Sequence, residues 1–182
     1  MDHLEAVVEI KNVIGVEFTN KIISLTKKRA TKNLLVAGSK LDTDMRNVKG
    51  YQLDFKTPTN LFYWNYIKLQ IENLYVHYKI KFPKMLSNKI NQIDLLKYSV
   101  GGKYEVHTDH FTTNVRSLSV IINLNERYEG GDLIFTDQKK IEVKRIKLGK
   151  GSIVFFPSNF MYPHSIAPIT KGVRYSIVSW LQ

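Results

Sequence analysis

The sequence predicts an α+β domain in which N-terminal helices cover one face of an antiparallel barrel or double-sheet jelly roll. Three observations predict it. Apolar residues recur at helical spacing only in the first part of the 182-residue chain. From residue 90 they fall instead into short runs rich in Val, Ile, Phe and Tyr. Those runs are separated by glycine turns at Gly101-Gly102, Gly130-Gly131 and Gly149-Lys150-Gly151, with no helical pattern between them.

Taken in order, residues 19–30 form a short helix capped by Thr19 or Asn20, with apolar Ile22, Ile23 and Leu25. A longer helix follows Pro58, capped by Thr59 or Asn60. It carries Leu61, Trp64, Ile67, Ile71, Leu74 and Tyr78 at spacings of three and four, and ends at Pro83. This stripe reads as core packing. Strands are expected over 90–98, 104–108, 117–124, 132–135, 139–145, 152–156 and 173–181. The whole of 1–182 reads as one domain: 1–88 is a mostly helical support region, and 89–182 is the jelly-roll core that carries the site.

Composition narrows the chemistry. A hydrophobic content of 43% argues against disorder. Cysteine is absent, so disulfides, thiolate-held zinc, iron–sulfur clusters and thiol nucleophiles are excluded. Any metal must be held by histidine and carboxylate. The chain starts with acidic residues and shows no long apolar run, which points to the cytoplasm and to no membrane span. The net charge of +11 suits acidic partners, but the basic residues are scattered rather than gathered into a nucleic-acid-binding stripe.

Two constellations carry chemistry. His107-Thr108-Asp109 can present an imidazole and a carboxylate on one strand face, since residues i and i+2 point the same way. His164, in Tyr162-Pro163-His164-Ser165, is the candidate third ligand. Two histidines and one carboxylate on one face of a metal leave positions open, the arrangement of non-haem iron(II) oxygenases. Ten residues after His164 comes Arg174, on a strand expected to neighbour that of His164 in a jelly roll. A buried guanidinium needs an anion, and a dicarboxylate such as 2-oxoglutarate supplies one with bidentate geometry.

Together these segments resemble the prolyl 4-hydroxylase branch of the 2-oxoglutarate-dependent oxygenases. The resemblance is carried by Tyr98-Ser99-Val100-Gly101-Gly102-Lys103-Tyr104-Glu105-Val106-His107-Thr108-Asp109 and by Arg116…Leu124-Asn125…Gly130-Gly131-Asp132-Leu133-Ile134-Phe135. It continues through 149–157 and closes with His164…Arg174-Tyr175…Trp180, covering roughly 90–182, with weaker similarity at Arg46-Asn47-Val48-Lys49-Gly50. It implies a double-stranded β-helix, the jelly roll read above. It implies iron(II) on His107, Asp109 and His164, and the distal carboxylate of 2-oxoglutarate on Arg174. Tyr98 is implied near the co-substrate, Trp180 against the metal pocket, and Arg116 and Tyr104 on the substrate side. Oxygen is then the second co-substrate, and ascorbate a possible reductant.

One departure stands out. Where several relatives place a tyrosine just before the Leu-Asn pair, this chain has Asn123. That leaves Asn123, through its amide, or a neighbouring serine or threonine as the second donor to the distal carboxylate. The resemblance implies hydroxylation of proline in a peptide or protein. Other amino-acid side chains, small molecules and a non-catalytic jelly-roll binding module are the alternatives. Nucleic-acid demethylases of this chemistry carry a further arginine six residues after the co-substrate arginine, where this chain has Trp180. A hydrolytic zinc site would use similar ligands but gives Arg174 no purpose. Substrate-recognising loops are expected near 51–58 or at Thr112-Thr113-Asn114.

Overall fold

The structure is a computed structural model and describes residues 3–36, 40–87, 89–111 and 115–182. Two helices, α1 (Val16–Arg29) and α2 (Pro58–Lys81), accompany fourteen strands among the described residues. Before the second helix come β1 (Val8–Ile10), β2 (Lys32–Asn33), β3 (Arg46–Asn47) and β4 (Lys49–Gln52). After it come β5 (Ile90–Tyr98), β6 (Lys103–His107), β7 (Leu118–Asn123), β8 (Tyr128–Gly130), β9 (Leu133–Thr136) and β10 (Glu142–Ile146). The last four are β11 (Ile153–Pro157), β12 (His164–Ile166), β13 (Ile169–Gly172) and β14 (Arg174–Leu181).

The strands form a seven-stranded sheet, β1-β11-β7-β14-β5-β4-β2, and a five-stranded sheet, β10-β9-β12-β6-β3, with a small β13-β8 ribbon at one end. Every named pairing is antiparallel. This is the jelly roll expected from the glycine-punctuated strand pattern, and the double-stranded β-helix that the resemblance implied.

Alternation assigns each side chain of the larger sheet to one of two cores. Ile93 and Leu95 of β5, Val120 and Ile122 of β7, and Tyr175 and Ile177 of β14 pack outward with Trp64, Ile67, Ile71, Tyr75 and Tyr78 of α2. Their neighbours Leu96, Tyr98, Ile121, Val178 and Trp180 point inward with Leu133, Phe135 and Ile166 of the smaller sheet. Covered on both faces, β7 and β14 are buried along their whole lengths. Ile67 and Ile71 are fully buried, so truncating either to Ala would cost about 2–5 kcal/mol.

Several boundaries differ from the sequence expectation, for local reasons. The first helix starts at Val16 with Gly15 as its cap; Thr19 lies inside it, its hydroxyl donating to the Val16 carbonyl at 2.8 Å. The second helix is capped by Thr57, whose side chain accepts from the Asn60 amide, with Pro58 in its first turn. Its buried stripe runs Asn60, Trp64, Ile67, Ile71, Tyr75 and Tyr78, while Leu61 is exposed and Leu74 only half-buried. The region before residue 89 supplies strands as well as helices: β1 extends one end of the large sheet, β4 pairs with β5, and β3 pairs with β6.

Candidate metal and co-substrate site

The inward face of the large sheet is a ladder of cross-strand rows. Arg174 lies opposite Tyr98, Ser176 between Leu96 and Asn123, Val178 between Asp94 and Ile121, and Trp180 opposite Ser119. Facing them across the barrel, His164 on β12 lies directly opposite His107 on β6. A register shift between these two strands pairs Ile166 with Tyr104, so that the β6 side carries an extra residue. This bulge explains how Tyr104 and His107, three positions apart, share one face and stack at 3.6 Å between ring centroids.

His107, Asp109 and His164 each offer a ligand atom, all within 4.8 Å of one another. His107 Nε2 is 3.5 Å from one Asp109 carboxylate oxygen, and His164 Nε2 is 3.5 Å from the other. The His–x–Asp pair is not held by strand alternation alone, because β6 ends at His107 and Asp109 sits in the bend beyond it. Its carboxylate is fixed instead by Ser119, whose hydroxyl donates to Oδ2 at 2.7 Å, and Ser158 lies 2.8 Å from Ser119. The Nδ1 atoms of His107 and His164 lie 2.8 Å and 3.1 Å from the carbonyls of Glu105 and Tyr162. A carbonyl can only accept, so each ring carries its proton on Nδ1 and turns the Nε2 lone pair inward.

The electrostatics agree with that tautomer. Burial, with help from His107, lowers the His164 pKa to about 4, so its imidazole is neutral at physiological pH. Burial pushes the Asp109 carboxyl up, but His164, His107 and Ser119 together override it and hold the group well below the ordinary carboxylate range. Two imidazole Nε2 atoms and one carboxylate, all in reach of a single point, suit a divalent transition metal and leave the cavity side open.

One cavity joins this triad to the arginine: its lining includes His107, Asp109, His164, Arg174, Ser176 and Trp180. Arg174 is 1% exposed, and its Nε and Nη2 have no hydrogen-bond partner. The buried hydroxyl of Ser176 is likewise unpartnered. Buried donors left open in this way call for an anionic ligand, and a carboxylate end fits the set. Gly131, at φ +70°, makes the room, since a Cβ there would lie 3.0 Å from the Arg174 side chain.

The other expected residues divide. Tyr98, Tyr104 and Trp180 line the cavity. Arg116 stacks over the Trp180 ring at 3.6 Å and donates to Gln92 at 3.2 Å, at the metal end of the ladder. Asn123 is committed elsewhere: its amide donates to the carbonyls of Asn125 and Leu148 at 2.6 and 2.8 Å, and its oxygen accepts from Tyr128. Thr112-Thr113-Asn114 lies outside the described residues. The 51–58 segment is tied down, with Asn60 donating to both Tyr51 and Asp54.

Sequence reasoning missed Ser119, Ser176, Asp94 and the role of Arg46. Ser176 could have been found by counting alternate positions along β14 from Arg174, whereas Ser119 could not, since no triad member lies on β7. Arg46 lines the cavity, lies 4.6 Å over the Tyr104 ring and leaves its Nε unpartnered. Asp94 is 4% exposed, accepts from Gln92 at 2.8 Å, and has one oxygen without a partner.

Comparison with known proteins agrees with this geometry. Residues 93–182 match the 2OG-Fe(II) oxygenase superfamily. A PKHD-type hydroxylase of Prochlorococcus marinus is 26% identical over 174 residues, covering 90% of this chain and 76% of that protein. One from Aliarcobacter butzleri is 32% identical over 97 residues, 47% of this chain; the match spans 41% of that relative's length. Among solved structures, a Trichoplax adhaerens prolyl hydroxylase in complex with a hypoxia-inducible-factor peptide superposes with a TM-score of 0.81. It is 18% identical and covers 99% of this chain and 86% of its own. A Pseudomonas putida prolyl-4-hydroxylase gives 0.75 at 16% identity, covering 100% and 95%. Through residues 93–182 the chain thus belongs to the 2OG-Fe(II) oxygenase superfamily and is an oxidoreductase that requires iron(II), 2-oxoglutarate and oxygen, with the fold of these two prolyl hydroxylases.

Proposed function

We propose that the protein hydroxylates a prolyl residue of a peptide or protein, with iron(II) on His107, Asp109 and His164 and the distal carboxylate of 2-oxoglutarate on Arg174. The observation that carries this reading is the pair of buried, unpartnered Arg174 nitrogens lining the same cavity as the ligand triad. When bound, the metal would let one atom of O2 turn a C–H bond into C–OH while 2-oxoglutarate takes up the other and leaves as succinate and carbon dioxide. The chain's own work is placement. His164 and His107 would present Nε2, Asp109 would complete the ligand set, and Ser119 holds the carboxylate through its hydrogen bond.

Ser176 is the second donor to the distal carboxylate in this reading. Its unpartnered hydroxyl lines the cavity two residues along the same strand face from Arg174, whereas both Asn123 amide protons are spent on main-chain carbonyls. Leu96, Ile121 and Val178 keep the space between apolar, which excludes bulk water. Trp180, with Arg116 upon it, and Tyr104, stacked on His107, are the walls that a substrate meets. Proline is favoured by the names of the solved prolyl hydroxylases that share this fold. The absence of cysteine suits a cytoplasmic setting.

The experiment is succinate release from 2-oxoglutarate with iron(II) and ascorbate, with and without a panel of proline-containing peptides. Peptide-stimulated succinate, matched by the gain of one oxygen atom on proline, is the expected result. Stimulation by other peptides or small molecules alone would overturn the prolyl assignment. Undiminished turnover in both His107→Ala and Asp109→Ala would overturn the ligand assignment.

A further inference from the structure

The outward face of α2 carries a second apolar stripe that the catalytic reading leaves unused. Phe62, Leu69, Val76 and Ile80 are 59, 51, 54 and 75% exposed, although all four are large and apolar. With half-buried Tyr66 and exposed Asn73 they occupy positions 62, 66, 69, 73, 76 and 80. The steps are four, three, four, three and four, the spacing of a coiled-coil seam over nearly three heptads. The opposite face holds the core stripe of Trp64, Ile67, Ile71, Tyr75 and Tyr78. A helix that is apolar on two sides is built to be covered on two sides.

We propose that a second copy of this chain covers the stripe, α2 against α2. Heptad spacing is met by the knobs and holes of another helix with the same repeat, which a flat or irregular surface does not offer. The stripe is also self-complementary, as a two-fold interface requires. Reversed about Ile71, residue 62 falls on 80, 66 on 76 and 69 on 73, so Phe62 meets Ile80 and Tyr66 meets Val76. Asn73, the one polar member, lies opposite Leu69 in this pairing.

Charge opposes a second copy least along this face. Copies of a chain with net charge +11 repel one another over most of their surface. The charges flanking this face are Lys68, Glu72, Lys79 and Lys81, and Lys68 is already paired with Glu72 at 3.4 Å. Phe18 of α1, stacked on Tyr66 at 4.1 Å, broadens the stripe at its N-terminal end. From Phe62 to Ile80 the seam is about 27 Å long at the helical rise. At a helix width of about 10 Å such a seam covers on the order of 300 Å² per partner, short of the roughly 800 Å² of standard stable interfaces. The dimer is therefore weak and comes apart on dilution.

The test is sedimentation equilibrium across a concentration series up to about 1 mM, where even an association worth about 4 kcal/mol is half complete. Wild type should approach twice the 21.1 kDa of one chain. The Leu69→Lys/Val76→Lys variant should stay at one chain mass with an unchanged circular-dichroism spectrum and melt, because both sites are half exposed. The absence of native cysteine gives a second, independent reading. Leu69→Cys/Asn73→Cys should form a disulfide-linked dimer on mild oxidation whichever way the helices run, and Glu129→Cys should not. A wild-type mass of 21.1 kDa throughout, or a dimer indifferent to the two lysines, would overturn the proposal. So would a monomer that sediments with phosphatidylcholine vesicles through this stripe, which would make the face a membrane contact instead.

Discussion

Ser119 donates its hydroxyl hydrogen to Asp109 Oδ2 at 2.7 Å, from the strand row that also holds Trp180. This bond, rather than backbone geometry, orients the carboxylate, because Asp109 lies past the end of β6. Ser158 lies 2.8 Å behind it, so the carboxylate rests on a chain of two hydroxyls.

Ser119→Ala should therefore weaken iron(II) binding by about 10- to 100-fold, as outer-sphere substitutions in metal sites generally do. The fold should survive, since the change removes one buried hydroxyl. Titration of the metal-free variant with iron(II) or cobalt(II) measures the effect; an unchanged affinity would show that Asp109 is held by something else.

Removing the Arg174 fork should act on the co-substrate alone. Charge-assisted hydrogen bonds are worth about 1.5–3 kcal/mol each, so Arg174→Ala should raise KM for 2-oxoglutarate by at least about tenfold. Arg174→Lys keeps the charge but loses the bidentate fork, and should fall between. Calorimetric 2-oxoglutarate binding that is equal in all three proteins would rule out the assigned role.

Acid should destabilise the metal-free protein in two stages. With the His164 pKa lowered to about 4 against an ordinary 6.5, the unfolded chain takes up a proton that the folded one refuses between those values. Stability therefore falls as pH drops through that window, by about 2 kcal/mol between pH 7 and pH 5, or roughly 4–8 °C of melting temperature. Below about pH 4 the depressed carboxyl of Asp109 adds a loss of the same sign. Melts from pH 7 to 5 should steepen this way in wild type and flatten in His164→Asn; equal slopes would refute the burial of a neutral imidazole.

Asp94 gives the opposite test. Burial pushes its carboxyl up, against Gln92, Arg46 and Arg116, and one of its oxygens has no partner. A charged form disfavoured in the fold lowers stability at neutral pH. Asp94→Asn should raise the melting temperature at pH 7 by a few degrees, the gain shrinking as pH falls toward 4. A lower melting temperature would mean that the carboxylate is fully compensated.

Much of this site was legible in the sequence because its signals are local. The His–x–Asp pair, the distant His164 and Arg174 are set by residue type and order, and the glycine turns mark the strands between them. What escaped depends on relations between strands. The bulge that puts Tyr104 beside His107 is a property of two paired strands, neither of which shows it alone. Asn123 illustrates the converse: its position suggested the co-substrate, but Tyr128 and the Leu148 carbonyl, both brought near by folding, claim its amide. The strand β12, three residues long, was too short to carry a periodic signal.

The alternation along β14 has a consequence for how such a chain can vary. Arg174, Ser176, Val178 and Trp180 face the cavity they share with the ligand triad, while Tyr175 and Ile177 between them anchor the helical layer. Inserting or deleting a single residue within this strand would exchange the two sets at once, turning a guanidinium toward oily packing and an isoleucine toward the metal. Point substitutions can tune this strand, but changes of length are confined to the loops around it. Lineages descended from this chain should differ in how long their connections are, while the phase of this one strand stays locked.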